Sequence, residues 1–275
     1  METTLSDEDL SGYLDFAETL ADAARAVIAP HFRQQLAIDD KGHSLYSDFD
    51  PVTIADRQAE ETMRALIREA YPSHGILGEE SGRETGTSDL TWVLDPIDGT
   101  RAFITGVPLW GTLIALSGPG GPLLGVVDQP FQRERFIGSR LGSRYVFPDS
   151  TGDLCTRPCA ELGDAVLYCT HPDMFAAEPE HSAFEGLRRR VRMSRFSGDC
   201  YSYCMLAFGL VDLVVDAGLA PWDIHALIPI IEAAGGVVSD WKGQPAWRGG
   251  KVIAAGDPRT HQAALELLSK AAGRH

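Results

Sequence analysis

From Val107 to Val127 the chain has no charged residue, and a run of that length is enough to cross a bilayer as a helix. Five glycines (Gly111, Gly118, Gly120, Gly121, Gly125) and three prolines (Pro108, Pro119, Pro122) interrupt it. Proline removes a backbone donor and glycine is a poor helix former, so a membrane helix is excluded. The run reads instead as two strands, near 109–117 and 123–129, around a Gly/Pro turn. Further strands near 134–138 and 144–147 continue the antiparallel meander and extend one sheet.

The flanking sequence supplies the other layers. Leu14, Phe16, Ala17, Leu20, Ala24, Val27 and Ile28 recur at helical spacing and predict a helix over 14–32, with a second from Ile54 to Ala70. Thr91-Trp-Val-Leu94 predicts a short strand that stops at Asp95-Pro96. Beyond a loop at 149–158, strands (165–169, 192–196, 211–216) alternate with helices (180–190, 200–209, 223–234), followed by strands at 236–239 and 251–255 and a helix at 258–272. This pattern predicts an α+β lobe over 1–148 and a layered α/β lobe over 149–275, joined as one compact unit.

A net charge of −15 argues against a nucleic-acid groove or an anionic membrane as partner, because both require clustered cations. The one basic cluster, Arg188, Arg189, Arg190 and Arg192, reads as a solvated helix face. An acidic chain that holds a phosphate needs a metal ion to supply positive charge. Met1 to Leu10 lacks the basic and apolar regions of a secretory signal, so a cytoplasmic location is expected. Cys155, Cys159, Cys169, Cys200 and Cys204 are then expected as thiols.

Four acidic clusters sit beside turns or element ends: Asp50 to Asp56, Gly78-Glu-Glu-Ser81, Asp95-Pro-Ile-Asp-Gly-Thr100 and Pro221-Trp-Asp223. Asp95-x-x-Asp98 is the sharpest, because Pro96 and Gly99 bend the backbone so that two carboxylates can face one pocket. Like charges so placed repel, and a divalent cation with hard oxygen ligands relieves them. Gly99 and Thr100 open a helix whose free amides suit a phosphate. Taken alone, the same motif also serves as an N-cap and turn.

The four motifs together, with Val52-Thr-Ile-Ala-Asp56 and Ala233-Ala-Gly-Gly236, resemble the inositol monophosphatase family of Mg2+-dependent, lithium-sensitive phosphatases. The resemblance implies a layered αβαβα sandwich of the inositol monophosphatase and fructose bisphosphatase type. It also implies metal ligands Glu79, Asp95, the Ile97 carbonyl, Asp98 and Asp223, with two or three Mg2+ ions for which Mn2+ can substitute. Asp56, Glu79 and Thr100 take catalytic roles, Asp56 and Thr100 orienting an attacking water for in-line displacement, and Gly99 and Thr100 bind phosphate. A homodimer is implied as the assembly.

Within the family, Arg101-Ala-Phe103, Pro108-Leu-Trp-Gly-Thr112 and Gly198-Asp-Cys-Tyr201 look most like the histidinol-phosphatase branch. Histidinol phosphate carries an ammonium, which carboxylates can pair with. Asp199 and Asp216, which resemble the family's substrate-contacting segment, are therefore expected substrate contacts, with Asp199 as a helix cap and Asp216 as a ligand of inositol hydroxyls as the alternatives; Arg195 is expected either in the substrate pocket or as a strand-end charge. Inositol phosphate, fructose 1,6-bisphosphate and adenosine 3',5'-bisphosphate are alternative substrates, and a non-catalytic metal and phosphate-binding protein is the alternative class. His225 is expected to be structural, His43, His74 and His171 to lie in loops, Asp128 in a turn, and Glu80 to face away from Glu79. Trp110 fits either the core or the pocket wall.

Overall fold

The computed structural model describes residues 5–42 and 49–271. Helix α1 (Asp7–Ile28) starts seven residues before the predicted position, because Ser6 caps it by accepting from the Asp9 amide and Leu10 extends its buried stripe. It stops before a 3-10 turn at Ala29–His31 that contains Pro30. A small hairpin, β1 (Asp39–Asp40) with β2 (Pro51–Val52), leads into α2 (Ile54–Ala70), the span predicted. Thr53 and Asp56 form its capping box.

The first sheet is built from β3 (Gly75–Gly78), β4 (Gly82–Glu84), β5 (Thr91–Asp98), β6 (Gly111–Gly118), β7 (Gly121–Gln129), β8 (Glu134–Ser139), β9 (Gly142–Phe147) and β10 (Ser150–Asp153), with the short helix α3 (Thr100–Ile104) after β5. Its order is β10-β9-β8-β7-β6-β5-β3-β4, antiparallel except where β3 runs parallel to β5. The uncharged run thus forms the β6–β7 hairpin. The boundary expected at 148/149 falls inside the β9–β10 hairpin, so the first sheet continues to Asp153.

The rest of the chain alternates β11 (Val166–Cys169), α4 (Glu180–Arg188), β12 (Met193–Phe196), α5 (Asp199–Ala207), β13 (Leu213–Leu219), α6 (Pro221–Ile224), α7 (Leu227–Ala233), β14 (Val237–Asp240), β15 (Gly250–Ala255) and α8 (Pro258–Leu268). The single helix expected over 223–234 is two, because Pro229 lacks an amide and crowds the carbonyl four residues earlier, at His225. The second sheet has the order β12-β11-β13-β15-β14.

Three apolar cores separate five layers. One lies between α1 with α2 and the first sheet, one between the two sheets around α5 and α7, and one between the second sheet and α4 with α8. This is the αβαβα sandwich. The middle core draws on both halves of the chain, from Val93 and Leu113 to Val214 and Val252.

Two features lock the layers in place. Asp128, expected in a turn, is fully buried in β7 and accepts from Arg25 of α1 at 2.9 and 2.5 Å and from Arg135 of β8 at 2.8 Å. Two guanidinium groups make that burial tolerable and tie α1 to the sheet. On the opposite face Gly125 and Gly138 admit the backbone before and within α7: an added Cβ would stand 1.9 Å from the Ala226 carbonyl oxygen or 2.3 Å from the Ile230 Cα. Gly125→Ala is therefore expected to destabilise the protein by about 2 kcal/mol or more. This lowers the melting midpoint by roughly 4 °C or more, as checked by calorimetry; an unchanged midpoint would show that the helix can step aside freely.

Candidate active site

Along a regular strand Asp95 and Asp98, three residues apart, would point to opposite faces. In the β5–β6 ladder Asp95 pairs with Leu113 but Asp98 with Gly111, so β5 carries one extra residue in a bulge at Pro96-Ile97. Pro96 has no amide to lose there, and its carbonyl accepts from the Thr112 hydroxyl at 2.8 Å. The bulge turns both carboxylates to one side. Asp223 arrives from α6, and oxygens of Asp95, Asp98 and Asp223 all lie within 4.8 Å of one another.

Each of these groups is raised above the ordinary carboxylate range. For Asp95 the causes are burial, then Glu79, Asp98 and Asp223. For Asp223 they are burial, then Asp98 and Glu79. Asp98 is raised by burial against the Cys200 hydrogen bond. The partners are few: Asp98 accepts from the Cys200 amide at the start of α5 at 2.6 Å, and Asp223 from the Ala220 amide at 2.7 Å. Asp95 Oδ1 is buried and has no hydrogen-bond partner among the described residues. An unpartnered buried oxygen inside a cluster of oxygen donors fits a hard divalent cation.

Glu79, in the turn after β3, is also raised, by burial against the pull of Lys41. Lys41 Nζ donates to Glu79 at 2.7 Å and to Glu80 at 2.9 Å. Burial opposes the charge on Lys41, but Glu79 outweighs it and holds the ammonium well above its usual range. Glu80 therefore does not face away from Glu79; one cation gathers both. Lys41 lies in a polar segment with no motif, and nothing in the sequence marks it.

Asp56 accepts from the Thr53 amide at 2.9 Å and hydroxyl at 2.6 Å, and burial pushes it up to about 6 in spite of those bonds. The Thr100 hydroxyl donates to the Ile97 carbonyl at 3.0 Å. Among the described residues no hydrogen bond joins Asp56 to Thr100. Gly99 caps α3 with φ +87°, a conformation that glycine accepts, and a Cβ there would come within 3.0 Å of the Leu109 carbonyl oxygen. The first amides of α3 have no acceptor within the helix.

Asp98, Gly99, Thr100, Thr170, Asp199 and Asp223 line a cleft of about 180 Å3. An adjoining cavity of about 530 Å3 shares Arg101, Thr170 and Asp199 and adds Val107, His171 and Asp173. A larger cavity, about 570 Å3, lies elsewhere among Leu10, Pro119, Leu123 and Pro229, away from the carboxylates. Asp199 is the first residue of α5, not its cap, which is Gly198. Its φ of +41° is unusual for an aspartate. Burial, then Asp98 and Asp216, raises its carboxyl, while Arg101 opposes.

Two further expected substrate contacts, Asp216 and Arg195, are not among the residues lining the cleft or the adjoining cavity. Asp216 is fully buried and accepts from the Thr170 amide at 2.6 Å, the Thr170 hydroxyl at 3.2 Å and Tyr203 at 2.9 Å. Its position on β13 aims it at the end of β11, and Thr170 lines the cleft in its place. Arg195 is exposed on the edge strand β12, 5.6 Å over the Tyr168 ring and outside both cavities.

Trp110 is core, edge-on to Phe103 at 4.9 Å. His225 is buried with Nδ1 on the Pro221 carbonyl at 2.8 Å, a structural contact. His74 stacks on Tyr71, and His171 caps a 3-10 turn. His43 lies outside the described residues.

A family model described as the inositol monophosphatase family matches residues 9–272. The chloroplastic bifunctional phosphatase IMPL2 of Arabidopsis thaliana is 45% identical over 275 residues, 96% of this chain and 77% of that protein. The histidinol-phosphatase of Mycobacterium tuberculosis is 35% identical over 244 residues, 88% of this chain and 92% of that one. An inositol monophosphatase structure from Zymomonas mobilis superposes with a TM-score of 0.82 at 39% identity, covering 97% of this chain and all of that one (100%).

Because the buried carboxylates are raised, the folded chain without a cation holds protons that the unfolded chain would release. Its stability rises as pH falls from neutral toward the ordinary carboxylate range. A cation competes for the same oxygens. The rise in melting midpoint produced by Mg2+ over a chelator is expected to be larger at about pH 8 than at about pH 5. Equal rises at both pH values, read by scanning calorimetry, would place the ion outside this cluster.

Proposed function

Since the chain belongs to the inositol monophosphatase family, whose members hydrolyse phosphate monoesters with a metal ion, we propose that it converts L-histidinol phosphate to L-histidinol and phosphate. The observation that carries the choice of substrate is Asp199, a strained carboxylate shared by the acidic cleft and the adjoining cavity. Backbone strain of this kind is kept where the surroundings use it. A phosphate at the cluster places the alcohol portion of the substrate toward that cavity, where Asp199 accepts hydrogen bonds from an ammonium. The 35% identity with a histidinol-phosphatase supports the same reading.

The chain's own residues divide the work. Glu79, Asp95, the Ile97 carbonyl, Asp98 and Asp223 would hold Mg2+, two or three ions, with Mn2+ able to substitute. What the metal supplies when bound is a lowered pKa for a water and neutralised phosphate oxygens. The amides at Gly99 and Thr100 donate to phosphate oxygens. Asp56, pushed up to about 6, is suited to take a proton from a water near neutral pH, with Thr100 beside the phosphate seat. Thr170, fixed by Asp216, walls the alcohol side.

Inositol phosphate is the second reading, favoured by the 39% identity with the Zymomonas protein. The test is phosphate release with Mg2+ from L-histidinol phosphate, myo-inositol 1-phosphate, fructose 1,6-bisphosphate and adenosine 3',5'-bisphosphate at equal concentrations, with a chelator control. Histidinol phosphate is expected to lead; a lead for inositol phosphate would reassign the substrate. Asp199→Asn is expected to raise KM for histidinol phosphate about tenfold, the worth of one charged hydrogen bond, with little change for inositol phosphate. Equal changes for both would remove Asp199 from ammonium recognition.

A further inference from the structure

The turn that presents Glu79 rests on a buried charge that the reaction itself does not use. Glu60, one helical turn after Asp56 in α2, is fully buried. Its Oε2 accepts from the Glu80 amide at 2.8 Å, and its Oε1 accepts from the Ser81 amide at 2.9 Å and from Arg64 Nε at 2.8 Å. Arg64, itself buried, also donates to the Gly82 carbonyl. The Glu79 amide donates to the Leu94 carbonyl of β5 at 3.2 Å. Three successive amides of the turn are thus fixed, one by β5 and two by Glu60. Gly78 completes the fit, since a Cβ there would stand 2.5 Å from the Glu60 carboxyl carbon.

Packing does not call for this charge. α2 already covers the sheet with Ala55, Ala59, Met63 and Ile67, and a buried ion pair is seldom a net gain over an apolar pair of the same size. Direction is what the pair adds. Lys41 Nζ donates to Glu79 at 2.7 Å, a pull that competes with any ligand Glu79 would share with Asp95. A turn free to shift would let Glu79 leave Asp95.

We propose that Glu60, held by Arg64, is a positioning residue that fixes the Glu79 turn so that Glu79 joins Asp95 in binding the divalent cation. This rests on the metal role assigned to the cluster above. The test uses the full chain stripped of metal, titrated calorimetrically with Mg2+, and melted in chelator, comparing wild type with Glu60→Gln and Glu60→Asp. The Gln amide keeps the size but turns an N–H toward a backbone donor, and the shorter Asp withdraws the carboxylate from the turn.

Both variants are expected to melt in chelator within a few degrees of wild type, to bind Mg2+ about 10–100-fold more weakly, and to recover kcat as Mg2+ approaches saturation. A folded variant whose Mg2+ affinity stays within about twofold of wild type, whatever its melting midpoint, overturns the proposal. Loss of fold in chelator by both variants does so too, by assigning Glu60 to the fold. A wild type that binds no Mg2+ defeats the underlying metal reading instead.

Discussion

The arrangement around β5 follows from one constraint: carboxylates that repel must be held together out of water. Two unit charges about 5 Å apart at an effective dielectric near 20 cost about 3 kcal/mol. Asp98 and Asp223 each face two such neighbours and each receive one backbone amide. A hydrogen bond to a charged group is worth about 1.5–3 kcal/mol. One amide therefore offsets about one neighbour and leaves the other uncompensated. The protein supplies geometry for the cluster but not its full charge balance; without a cation, protons held on the raised carboxyls offset the repulsion, and on the proposed reading a divalent cation takes their place.

The fold shows elsewhere that it can neutralise a buried carboxylate when nothing else is required of it. Asp128 is as deeply buried as Asp95, yet both its oxygens are taken by Arg25 and Arg135. Asp95 keeps an oxygen with no partner among the described residues. The contrast separates a carboxylate that ties α1 to the sheet from one proposed to bind a cation. The middle helix layer serves the second kind: α5 and α6 direct amides at Asp98 and Asp223, and Gly125 and Gly138 let the following helix press close enough to the sheet to keep them there.

The layered architecture was legible because its signals are local. The glycines and prolines of 107–127 forced strands, and the stripe from Ile54 to Ala70 gave a helix with the boundaries found. Asp95, Asp98 and Asp223 were legible as motifs at element ends. What escaped depends on register and on contacts far apart in sequence. Asp216 stands seven residues before Asp223, and the spacing alone does not show that its carboxylate accepts from the Thr170 amide and so fixes a residue of the cleft wall. Glu80 read as facing away because neighbouring side chains usually diverge, and Lys41 reverses that from across the site. Glu60 carried a local sign, an i,i+4 pair with Arg64 on the apolar face of α2. Its purpose appears only when the Glu79 turn lies over it.

The start of α5 joins the two halves of the site in adjacent residues. The Cys200 amide holds Asp98, while the Asp199 side chain, one residue earlier, faces the cavity proposed for the alcohol. A backbone donor does not depend on which side chain its neighbour carries. On the proposed reading, residue 199 can therefore change to suit another leaving group without releasing Asp98 from its partner. Gly198 leaves the approach narrow, since a Cβ there would meet Ser202 at 2.7 Å and Tyr168 at 2.9 Å. On that reading the site separates a side chain that would touch substrate from the backbone hydrogen bond that holds Asp98. Such a division would let one site chemistry be combined with different leaving groups on a single fold.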